Sequence, residues 1–129
     1  MIGVDSSVLI DLLRNRNLAT KLDTNEDLCT SEIVVYEILF GIHASQHFSD
    51  KKLKEFEAIL DTFAYVFPIE RKASALAAKI GGKLSKAGQT VQHTDILIAA
   101  SLLASGCSKL VTKNTKDFSR IEGLEIMVF

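Results

Sequence analysis

Tryptophan is absent from this chain, proline occurs once, at Pro68, and two cysteines, Cys29 and Cys107, stand among 129 residues. Cysteines so few and so far apart have neither metal-ligand spacing nor the density of a secreted disulfide scaffold, so both read as small core residues. Aromatic residues make up 7% of the chain and form no platform for stacking unpaired bases. A glycine-rich phosphate loop is missing as well; Gly81-Gly82 falls inside a helical pattern, where it permits close packing. The apolar stretch at residues 33–42 is too short to span a bilayer and is interrupted by Glu37. No basic segment followed by an apolar one opens the chain. The expectation is a soluble, cytoplasmic protein with no membrane segment, and without repeats, low-complexity tracts or linkers.

A formal net charge of −1 gives no global basic signature of nucleic-acid binding. That average hides a partition: removing the negative charges of Asp5, Glu37, Asp95 and Asp117 from a net of −1 leaves +3 on the remainder, which is compatible with an anionic substrate.

With 47% hydrophobic residues, residues 1–129 are the size of one domain able to bury a sizeable core. Short apolar runs predict strands at Ile2–Val4, 28–30, Tyr65–Phe67, Lys109–Thr112 and Glu125–Val128. Helical spacing predicts helices at 8–14 behind a Ser6 or Ser7 cap, at 33–42, from an Asp50 cap to 63, at 70–87 before Gly88, and at 95–104 before Gly106. Residues 113–123 read as a loop. Strands alternating with helices imply an α/β domain, a parallel sheet flanked by helices on both faces, with ligands at the carboxyl ends of its strands. Asp5 and the 112–117 loop would share that edge.

Four carboxylates lie in or beside the most apolar segments. Asp5 closes Met1-Ile2-Gly3-Val4, Glu37 interrupts 33–42, Asp95 opens Ile96-Leu97-Ile98-Ala99-Ala100, and Asp117 follows Leu110-Val111-Thr112 by a short loop. An ionised carboxylate in such surroundings is costly unless paired, hydrogen-bonded or bound to a cation, and residues 33–42 contain no Lys or Arg to pair with Glu37. The pattern points to a divalent-metal site. The plainer alternatives are a helix-capping role for Asp5, a helix-dipole role for Asp95 and solvated loop charge for Asp117 beside Lys116 and Arg120.

The segment Val4-Asp5-Ser6-Ser7-Val8-Leu9-Ile10 resembles the opening of the PIN-domain ribonucleases. Three later segments agree in order: Ser31 with Glu37-Ile38-Leu39-Phe40-Gly41, then 95–100, then Val111-Thr112-Lys113-Asn114-Thr115-Lys116-Asp117-Phe118. The resemblance covers almost the whole chain, and the size is similar to that of VapC-type toxins of toxin-antitoxin pairs. It implies a metal-dependent endoribonuclease with Asp5, Glu37, Asp95 and Asp117 around Mg²⁺ or Mn²⁺, an RNA substrate, a homodimer and a cognate antitoxin. Hard cations suit carboxylate and water oxygens. Ser6, Thr112 and Asn114 match polar family positions that orient carboxylates or waters; turn and cap hydrogen bonding is the competing role. Val34 departs from the hydroxyl residue often found three places before the family glutamate.

Lys113, Lys116 and Arg120 are RNA-contact candidates because their loop also carries Asp117. Lys72, Lys79, Lys83 and Lys86 recur near one helical face and read first as solvated charge. His43 and His47 lack the glutamate of a zinc-protease motif and read as surface or partner contacts, and His93 reads as an exposed loop residue. Two other functions remain open. One is a noncatalytic RNA- or partner-binding relative. The other is phosphoryl transfer through Asp5 as nucleophile, which a second Asp at position 7 would have supported; that position is Ser7.

Overall fold

The computed structural model describes residues 1–22 and 24–129. The elements run β1 (Ile2–Val4), α1 (Ser6–Arg14), a 3₁₀ segment (Arg16–Leu22), β2 (Leu28–Ser31), α2 (Glu32–Ala44), α3 (Asp50–Leu60), β3 (Tyr65–Phe67), α4 (Arg71–Lys86), α5 (His93–Ala104), β4 (Lys109–Thr112), α6 (Thr115–Phe118) and β5 (Glu125–Val128). The strands form one parallel sheet in the order β3-β2-β1-β4-β5.

This order positions the site. From β1 the sheet grows through β2 to β3; the chain then crosses back to the other side of β1 and adds β4 and β5. Growth reverses between β1 and β4, and loops leaving the carboxyl ends of such a strand pair diverge and leave a crevice. Asp5 immediately follows β1, and Lys113 immediately follows β4.

Ile2, Gly3 and Val4 are all buried, as a central strand covered on both faces requires. A Cβ on Gly3 would stand 2.7 Å from Leu102 Cδ1 and 3.1 Å from the Lys109 carbonyl oxygen, so α5 packs directly against the β1 backbone. Helix α5 is buried along most of its length and packs on α4, α2 and β2. Leu102 is fully buried, and its truncation to alanine would cost about 2–5 kcal/mol. Helices α4 and α5 end as expected at Gly88 and Gly106, with φ of +69° and +86°. In both, the residue after the glycine donates back to the last turn, Gln89 N–H to Leu84 and Cys107 N–H to Leu102, each at 2.9 Å.

Four local expectations are corrected. Helix α1 takes in Ser6 and Ser7, with Asp5 at the cap position, because the serine hydroxyls turn to the Asp5 carboxylate. Helix α3 is capped by Ser49, not Asp50: its backbone is extended and its hydroxyl accepts from Lys52 N–H at 3.3 Å. The stretch at 113–123 holds a helical turn, α6, anchored by the fully buried Phe118. His93 is the first residue of α5, though exposed.

Candidate active site

The Asp5 carboxylate is 3% exposed, and its surroundings consist of hydroxyls. Thr112 Oγ1 donates to Oδ2 at 2.8 Å and Ser7 Oγ donates to the same oxygen at 3.0 Å, while Ser6 Oγ donates to Oδ1 at 3.4 Å. The Asp5 backbone N–H bonds to the Val111 carbonyl at 3.2 Å, extending the β1–β4 ladder by one step.

From Thr112 the network passes to the next loop. Thr112 Oγ1 accepts from Asn114 N–H at 3.0 Å, and Ser7 Oγ accepts from Lys113 N–H at 3.0 Å. The amide of Asn114 then forks, donating to Asp95 Oδ2 at 3.0 Å and Asp117 Oδ2 at 3.3 Å. Asp5 is thereby linked to Asp95 and Asp117 through neutral donors alone. Glu37 completes the group from α2, where its Oε1 is buried without any hydrogen-bond partner.

Their electrostatics tie the four acids together. Burial pushes the Asp95 carboxyl up to about 6, helped in order by the charges of Asp5, Glu37 and Asp117 and opposed by the Asn114 hydrogen bond. Asp95 lies in the first turn of α5, where the helix dipole favours the anion, yet burial and three like charges outweigh it. Glu37 is also raised, by burial first and then by Asp5, with the Ser6 hydroxyl acting the other way. Among the described residues Asp5, Glu37 and Asp95 have no ion-pair partner; Asp117 has Arg120 at 3.8 Å.

Such a donor set fits a hard divalent cation. It offers oxygen ligands in negative surplus, one buried carboxylate oxygen lacks any partner, and charge neutralisation would relieve the repulsion that raises Asp95 and Glu37. Among the described residues no three acidic, histidine or cysteine side chains form a ready-made metal-holding group.

Ser6, Thr112 and Asn114 therefore sit where the sequence placed them, in contact with the carboxylates. Ser7 is the residue missed as part of this network: its hydroxyl joins Asp5 to the Lys113 backbone, a role hidden because the partners are 106 residues apart. Its occupation of the site where phosphoryl transfer would want a second Asp is a hydrogen-bonding role. The three basic candidates divide. Lys113 Nζ pairs with Asp11 at 2.8 Å, and Arg120 Nη1 donates to the Thr90 carbonyl at 3.0 Å besides its approach to Asp117. Lys116 is exposed and has no ion pair among the described residues. On α4, Lys83 pairs with Glu122 at 2.9 Å.

Beside Glu37 a groove of about 380 Å³ is lined from α1, α2 and α3, its apolar part by Ile10, Leu13, Ile38 and Ile42 and its polar part by Arg14, Lys52 and Glu55. Ile10, Tyr36 and Phe40 are exposed on the same two helices.

A parallel five-stranded sheet with buried acids gathered at its switch point defines an acid-lined α/β domain. The chain belongs to the PIN domain family, whose model matches residues 2–124. It is 30% identical over 126 residues to ribonuclease VapC1 of Rickettsia felis, spanning 96% of this chain and 92% of that one. It is 32% identical over 127 residues to ribonuclease VapC of Rickettsia bellii, again spanning 96% and 92%. The solved structure of VapBC2 from Rickettsia felis bound to a DNA fragment from its promoter shares the fold, with a TM-score of 0.86 over 100% of this chain and 99% of that one at 21% identity.

Proposed function

We propose that this protein is an endoribonuclease that hydrolyses RNA phosphodiester bonds with Mg²⁺ or Mn²⁺, and that it is the toxin of a toxin-antitoxin pair. The carrying observation is the group of four carboxylates in which Asp5, Glu37 and Asp117 raise Asp95 by their charge and half-buried Glu37 keeps one buried oxygen without a partner. Asp5, Glu37 and Asp95 would hold the ion, with Asp117 at the open side. When bound, the ion lowers the pKa of a water and stabilises charge on the attacked phosphate.

The protein's own contribution is orientation. Thr112 and Ser7 fix Oδ2 of Asp5, leaving Oδ1 the less encumbered oxygen, while Asn114 holds Asp95 and Asp117 at one spacing. Lys116, unpaired among the described residues, is the first phosphate contact on the approach; Lys113 and Arg120 join once they exchange Asp11 and Thr90 for the backbone of RNA.

Relatives named VapC ribonucleases support the activity, and a neighbour solved as a VapBC complex supports an antitoxin partner. The apolar groove beside Glu37 and the exposed Tyr36 and Phe40 supply a surface for such a partner. A homodimer and a cytoplasmic location accompany this reading; no helix among the described residues is long and apolar enough to cross a membrane.

RNA cleavage measured with Mg²⁺, with Mn²⁺ and with EDTA, beside RNA binding, tests it. Metal-stimulated cleavage abolished by EDTA is expected. RNA binding without cleavage under every metal condition would mark a noncatalytic binding relative instead.

A further inference from the structure

On the amino-terminal side of the sheet, away from the carboxylates, the two cysteines meet. Their Sγ atoms are 3.4 Å apart although the residues are 78 positions apart in sequence, and the side chains are 0% and 1% exposed. Cys29 lies in β2 opposite Gly3 of β1, while Cys107 hangs from the end of α5 just before β4. Gly3, on the strand between them, presents no side chain to intervene.

We propose that Cys29 and Cys107 are a redox-active dithiol that closes to an intramolecular disulfide in the presence of a small hydroperoxide. A disulfide needs the sulfurs at about 2.0 Å, a closure on the scale of side-chain rotation. The direction of the thiol contact, Cys29 donating to Cys107, makes Cys107 the nucleophile of this scheme. The Cys29 thiol donates to its sulfur at 3.4 Å, a contact that lowers the Cys107 pKa against the opposing effect of burial and raises that of Cys29, while the Cys107 thiol itself faces the carbonyls of Lys109 at 3.4 Å and Met1 at 3.8 Å.

With hydrogen peroxide, the Cys107 thiolate attacks one oxygen and breaks the O–O bond, leaving sulfenic acid and a hydroxide that takes up the thiol proton as water. The Cys29 sulfur then attacks the sulfenic sulfur, loses its proton and expels a second water. Two thiols and one peroxide become one disulfide and two waters, the sulfurs giving up two electrons. The bond would close a long loop and tie β2 to the α5–β4 turn, which restricts the unfolded chain.

The test titrates reduced protein with hydrogen peroxide and reads free thiols, intact mass, linked peptides and the urea midpoint. Expected are joint loss of both thiols, loss of the mass of two hydrogens, a Cys29–Cys107 linked peptide, and an upward midpoint shift reversed by dithiothreitol. Cys29→Ser should instead gain oxygen on Cys107, and Cys29→Ala, which buries no hydroxyl, should do the same if the serine variant folds poorly. The proposal is overturned if the folded protein keeps both thiols at peroxide levels that oxidise the urea-unfolded chain, or if wild type gains oxygens or links only between chains.

Discussion

The two ends of the central strands treat their acids in opposite ways. At the amino end, Glu26 is matched by Lys109 at 2.6 Å and by the Met1 amino group at 3.0 Å, and these partners hold its carboxyl below the usual range. At the carboxyl end, Glu37 and Asp95 have no cation among the described residues, and burial with neighbouring like charge raises both. One end is neutralised by the chain itself; at the other, Glu37 and Asp95 have no such partner among the described residues. That difference separates a stabilising ion pair from the candidate site.

The strongest way to break the comparison is to remove charge from Asp5. Asp5→Asn is expected to lower metal-dependent RNA cleavage by more than about 100-fold while circular dichroism and thermal melting show an intact fold. Near-wild-type turnover at saturating Mg²⁺ and Mn²⁺ would remove Asp5 from the metal.

Ser7→Ala probes the hydroxyl that fixes Asp5. Manganese affinity, read by calorimetry, should fall about 10- to 100-fold, and Ser7→Thr should restore part of it. Equal affinity in all three proteins would make Ser7 a local helix contact only.

Lys113→Ala with Lys116→Ala should weaken RNA binding and reduce the slope of log affinity against log salt by up to about two, with manganese affinity unchanged. A fall in manganese affinity with RNA binding intact would reverse this division of labour.

Glu37→Gln and Glu26→Gln should move metal-free stability in opposite directions. The first relieves repulsion and should raise the melting temperature while shrinking the shift caused by Mn²⁺; the second breaks ion pairs and should lower it. Melting curves with the same sign would erase the contrast between the ends.

The smallest effect is in pH. The folded Asp95 carboxyl titrates near 6, above an unfolded aspartate, so between the two values the folded state binds more protons. Metal-free stability should therefore rise as pH falls from 7 through 6 toward 4, by on the order of 2 kcal/mol from Asp95. Glu26, held low, contributes in the other direction, but only on acidification through the ordinary carboxylate range and below it. Urea midpoints at pH 7 and pH 5 check the sign, and bound Mn²⁺ should suppress the rise by favouring the ionised form.

Strands such as Ile2–Val4 and Lys109–Thr112 were legible because parallel strands buried on both faces leave short apolar cores, here Ile2-Gly3-Val4 and Leu110-Val111. Asp5, Glu37 and Asp95 were legible because charge in apolar sequence demands a partner. Helix α6 was not, since one turn has no periodicity and Phe118 is held by burial in the core. The 3₁₀ segment at Arg16–Leu22 buries no residue fully and left no pattern either.

The sequence by itself determined the alternation of strand and helix, the parallel sheet that follows from it, and the burial of Asp5 and Asp95, because these depend on local periodicity and on the cost of desolvating charge; Glu37 and Asp117 are only half-buried. Only the tertiary structure decided that Ser7 joins Asp5 to the Lys113 backbone, that Asn114 reaches Asp95, that Lys113 spends its charge on Asp11, and that Cys29 meets Cys107. Each long-range contact joins side chains brought together by the crossover from β3 to β4 or by the packing of β1 between its neighbours. A hydrogen bond or sulfur contact depends on distances of a few tenths of an ångström, and local sequence pattern carries no information about distances between segments far apart in the chain.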